Sequence, residues 1–110
     1  MDERFTMKSD RRNLHLHRAA MARLRERPEL RARCLSLLER WIRSPELAGA
    51  RVYLQQWREL LLHASDEELE RVTLDPDGAQ ALRSCSPLGP VFTPRERWAL
   101  LREVNDGLRS

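Results

Sequence analysis

Lysine, cysteine, glycine and aromatic residues are all scarce in this chain of 110 residues. Four glycines are too few and too scattered for a phosphate-cradling loop, and no serine sits in the tight glycine-flanked turn that presents a hydrolase nucleophile. Cys34 and Cys85 cannot form a disulfide framework and have no neighbouring ligands for a zinc site, so both read as buried free thiols. Val and Ile together number five against nineteen leucines, which argues against strands. A run of about 18 apolar residues is missing, as is a charged-then-apolar leader, so neither a membrane span nor a secretory signal is expected. The expected location is cytoplasmic, with no cofactor and no metal.

What is present is leucine, arginine and helix punctuation. A hydrophobic fraction of 41% beside 34% charged residues fits a globular all-α protein. The length allows one core, so we expect a compact single-domain bundle of five to six short helices over residues 13–107, preceded by a flexible N-terminal tail at 1–12. Asp10 or Asn13 can cap a first helix reaching about Arg27, with Leu14, His17, Ala20, Met21 and Leu24 on its inner stripe. After Pro28, the residues Leu30, Cys34, Leu37, Leu38, Trp41 and Ile42 mark a second helix. A third covers about Ala50 to His63, with Tyr53 or Leu54, Trp57, Leu60 and Leu61 inward. Ser65 to Glu68 has capping-box spacing and opens a fourth, which Asp75-Pro76-Asp77-Gly78 ends. A short fifth follows at Ala79–Ser84. Thr93-Pro94-Arg95-Glu96 repeats the capping signature and starts a sixth, expected to bury Trp98, Leu101 and Val104. The three tryptophans fall on three different helices and read as core anchors.

Between the last two helices lies the least generic stretch of the chain. It holds Pro87, Pro90 and Pro94, and three apolar residues, Leu88, Val91 and Phe92, that a merely solvated loop does not need. The prolines restrict their own dihedrals and those of the residues before them, so fixing this linker costs little chain entropy. Turned inward, the apolar trio holds the last helix to the core. Turned outward with Arg95 beside it, the trio is a preorganised partner-binding patch.

Charge is distributed unevenly. Residues 1–60 carry 14 basic and 8 acidic side chains, and residues 61–110 carry 6 and 9. The basic half permits phosphate contacts with nucleic acid, although no helix-turn-helix is legible. Within it, Arg12-Asn13-Leu14-His15-Leu16-His17 resembles the arginine-and-histidine signature of the helical HEPN ribonucleases. That resemblance implies that Arg12 would stabilise phosphorane charge and that His17 would transfer protons. His15 and His17 lie about 200° apart on a helix and do not share an ion.

The segment Leu82-Arg83-Ser84-Cys85-Ser86-Pro87-Leu88-Gly89-Pro90-Val91-Phe92-Thr93-Pro94-Arg95-Glu96-Arg97-Trp98 resembles a recurrent LRQSSPFAGVLTPEERW pattern of small bacterial helical proteins. Leu16–Ala20, Leu38–Trp41 and Tyr53–Trp57 look similar too. Cys85, Leu88 and Pro90 are among the departures. Some of those proteins accompany regulators or look like the antitoxin of a toxin–antitoxin pair, which implies binding to a protein partner. Two function classes therefore stay open. One is a non-enzymatic, antitoxin-like interaction protein using Leu88, Val91, Phe92 and Arg95. The other acts on nucleic acid, as a ribonuclease through Arg12 and His17 or as a nonspecific basic binder.

Overall fold

A computed structural model describes the backbone of residues 3–109 and the side chains of residues 11–106. Its elements are α1 (Glu3–Glu26), α2 (Leu30–Arg43), a 3-10 helix (Pro45–Ala50), α3 (Arg51–His63), α4 (Asp66–Thr73), α5 (Gln80–Ser84), a second 3-10 helix (Gly89–Val91) and α6 (Pro94–Arg109). The chain is an all-α bundle, 81% helical, with no strand among the described residues. No described helix is long and apolar enough to cross a membrane.

α1 starts at Glu3, well before the cap expected at Asp10 or Asn13. Residues 3–9 contain no glycine or proline, so nothing local stops the helix from propagating backwards past those polar residues. The expected tail at 1–12 falls partly outside the described residues. Two later starts, those of α4 and α6, follow their caps. The Ser65 hydroxyl accepts the Glu68 N–H at 3.1 Å. At α6 the box is closed both ways: Glu96 N–H donates to Thr93 Oγ1 at 3.2 Å, and Thr93 N–H donates to Glu96 Oε1 at 3.0 Å. Each such cap is worth about 1 kcal/mol.

The core forms where α1, α2, α3 and α5 converge. Ala20, Met21 and Leu24 of α1 meet Leu30, Cys34 and Leu38 of α2 and Leu54, Trp57, Leu60 and Leu61 of α3. Trp57 has no exposed surface. Its Nε1–H donates to the Leu82 carbonyl at 2.7 Å, pinning α3 to α5, and the His17 ring stacks on it at 6.2 Å between centroids. Of the alternative inward residues on α3, Leu54 is buried and Tyr53 lies at the surface.

Trp98 is not a core anchor. It is 70% exposed, and Leu101 and Val104 are only half-buried. α6 packs on α1 along another face, where Arg23 pairs with Glu96 and His15 pairs with Glu103 at 3.0 Å. Those pairs, with Leu100 between them, turn the helix so that Trp98 points away from α1. Trp41 is half-buried.

The charge asymmetry of the sequence is largely internal. Arg23 pairs with Glu96, Arg25 with Glu67 and Glu70, and Arg31 with Asp66, so arginines of the basic half meet carboxylates of the acidic half. Most of these groups are substantially exposed, so each pair adds only a few tenths of a kcal/mol and the benefit falls with salt.

Candidate binding cleft

The linker folds onto the body rather than away from it. The Ser86 hydroxyl accepts the Leu88 N–H at 3.2 Å, and Val91 and Phe92 donate back to Leu88 and Gly89 to close the 3-10 turn. Pro87, Leu88 and Val91 are buried, each apolar side chain contributing about 1.5–3 kcal/mol. Leu88 and Val91 thus belong to the core and offer no outward patch. Phe92 is half-buried with the Arg23 guanidinium 6.0 Å from its ring centre, and Arg95 is exposed on the first turn of α6.

Leu88 and Phe92 line a cleft of about 450 Å³ whose opposite wall carries His17. The two candidate regions of the sequence, the α1 histidine and the linker, therefore meet at one place. Leu16 and Ala20 of α1 and Leu37 and Trp41 of α2 make the rest of its apolar lining. Asn13, Ser84, Ser86, Arg83 and Arg97 supply the polar part. This size and mixture suit a small molecule or one or two side chains of a peptide.

His17 is 6% exposed. Its Nδ1 lies 2.6 Å from the Asn13 carbonyl, which can only accept, so Nδ1 carries the proton and Nε2 holds a lone pair with no protein partner. Burial pushes the imidazole pKa below its usual range, the Asn13 hydrogen bond opposes this, and the nearby Arg83 charge adds to the lowering. Arg12, on the same helix, points about 140° away from His17. With a neutral ring and a buried Nε2, His17 is not presented to a surface-bound RNA phosphate, and the structure does not join Arg12 and His17 into one open site.

Arg83 went unnoticed in the sequence. It is 4% exposed, and its Nη1 donates to the Thr73 and Asp75 carbonyls at 2.8 Å each, capping the C-terminus of α4, while its Nε has no protein partner. Arg31 performs the same task at α3, donating to the Leu61 and Ala64 carbonyls, but also meets the Asp66 carboxylate at 2.9 Å. Among the described residues no carboxylate pairs with Arg83.

No family model, curated protein or solved structure matches the chain.

Proposed function

We propose that this chain is a non-enzymatic interaction protein that holds an amphipathic segment of a protein partner in the cleft between α1, α2 and the linker. The observation that carries this reading is the convergence of Leu88, Phe92, Trp41, His17 and Arg83 on one cavity of about 450 Å³. An apolar side chain of the partner would lie between Trp41 and Phe92, and polar atoms of the same segment would meet the serines and arginines. Arg95 and Arg97, exposed on the first turn of α6, extend the contact at the rim. The linker's resemblance to the antitoxin-like proteins supports the same class of role. His17 supports binding over proton transfer, since a neutral ring stacked on Trp57 and tied to the Asn13 carbonyl is a wall element.

The test is partner capture from the native host with a blocked cleft. Gly89 lines the cleft and a Cβ added there meets nothing within 4 Å, so the backbone accepts a side chain and Gly89→Trp sets bulk at the cleft. We expect Gly89→Trp to lose the captured protein at an unchanged melting temperature, while Val52→Asp, on the outer face of α3, keeps it. Capture that survives Gly89→Trp and disappears in Val52→Asp would move the interface to α3 and end this reading.

A further inference from the structure

Arg83 and Arg31 do the same backbone work in different electrostatic circumstances. Each guanidinium closes the C-terminus of a helix, but the less exposed of the two is the one without a carboxylate among the described residues. The α4 terminus offers Arg83 only partial negative charge, about half an elementary charge. Arg83 as a residue keeps only 4% of its surface in water and its Nε is buried without a partner, and a buried charge without a counterion is a costly arrangement. Arg97 lines the same cleft, adding a second positive charge, and no acidic residue lines it. The cleft is therefore positive inside an apolar frame of Leu37, Trp41, Leu88 and Phe92. A hydrated phosphodiester would leave those four side chains facing charge and water. A carboxylate on an apolar body satisfies both halves.

We propose that the cleft selects a carboxylate carried on an apolar group, with its oxygens toward Arg83 and Arg97 and its apolar part between Trp41 and Phe92. This deepens the interaction reading and rests on it for the biological source of the carboxylate, an acidic side chain or chain end of the partner. His17 matches this assignment as a neutral wall, since its unprotonated Nε2 would repel an anion placed directly on it and so directs the charge to the arginine side.

The test is a titration of the full chain followed by the three indole N–H resonances, which report three different settings. Trp41 lines the cleft, the Trp57 N–H is locked on Leu82, and Trp98 points to solvent. The probe is phenylacetate, with phenylacetamide, inorganic phosphate and acetyl-Phe-Glu-Phe-amide as comparison arms. We expect a saturable shift of Trp41 with a dissociation constant on the order of 1–10 mM for phenylacetate, as its ten heavy atoms allow. Phenylacetamide should bind about 10- to 100-fold more weakly, the range for losing a charge-assisted hydrogen bond. Replacing Arg83 would also uncap α4, so the decisive variant is Ser84→Glu, which places a carboxylate on the cleft wall from an exposed position. That variant should fold normally and lose phenylacetate binding. Equal response to phenylacetate and phenylacetamide, equal response to inorganic phosphate, undiminished binding in Ser84→Glu, or no saturable shift at concentrations about tenfold above the expected constant would each overturn the proposal. The arms also separate it from the partner reading. Binding of phenylacetate but not the peptide keeps the carboxylate site and removes the protein segment. Capture that depends on Gly89 without any carboxylate preference does the reverse.

Discussion

Replacing Trp57 by Phe tests how the core is tied together. The change removes about 40 Å³ of buried side chain, worth about 1 kcal/mol at roughly 24 cal/mol per Å³ of residual cavity. It also deletes the 2.7 Å bond from Nε1–H to the Leu82 carbonyl. That carbonyl still accepts the Cys85 N–H at 3.1 Å, so the loss is one bond of about 1 kcal/mol rather than a fully orphaned acceptor. The total, about 2 kcal/mol, should lower the melting temperature by about 8 °C for a domain of this size, measured by calorimetry or by loss of the helical circular dichroism signal. Trp98→Phe is the matched control. With 70% of its surface already in water, its effect should stay within about 0.5 kcal/mol, or about 2 °C. Equal losses from the two substitutions would refute this account of the core.

Other outcomes follow from the same geometry. The depressed pKa of His17 makes stability depend on pH. Its contribution is complete above the unfolded-state value of 6.5, declines as pH falls below it by up to about 1.4 kcal/mol per pH unit, and is gone once pH is below the folded value. Denaturant melts of His17→Gln should lose that slope as pH falls below 6.5, and an unchanged slope would assign it to another group. Leu88→Ala should cost about 2–5 kcal/mol because the side chain is buried, and a cost under about 1 kcal/mol would mean that the linker does not hold to the body. Burial raises the Cys34 thiol to about 11, so a thiol reagent near neutral pH should label half-buried Cys85 first, which mass spectrometry of the labelled peptides would show.

Much of the bundle was legible because its signals are local. Thr93 and Glu96 sit three residues apart with proline between them, and the structure closes that box in both directions. The stripes of α2 and α3 repeat every three or four residues, and they form half of the buried core. The failures are places where distant partners decide. On α6 the sequence spacing puts Trp98, Leu101 and Val104 on one stripe, whereas in the fold Leu100, Leu101 and Val104 are half-buried and Trp98 is exposed. The pairing of Glu96 with Arg23 and of Glu103 with His15 fixes the rotation, and no local period encodes that. Arg83 was invisible for the same reason. Nothing in a five-residue helix announces that its arginine reaches back to the carbonyls of Thr73 and Asp75. The cleft was half legible, since His17 and the linker were both singled out, but only the packing of the linker on α1 and α2 places them face to face.

The most direct test of the cleft is amide shift mapping of the isotope-labelled chain with its captured partner. The account predicts the largest changes along Asn13–Ala20 and Ser84–Phe92, with the Trp41 indole moving and the Trp98 indole following only if the rim on α6 is engaged. Changes confined to the outer face of α3, around Val52, Gln55 and Glu59, with Asn13–Ala20 and Ser84–Phe92 unmoved, would contradict it.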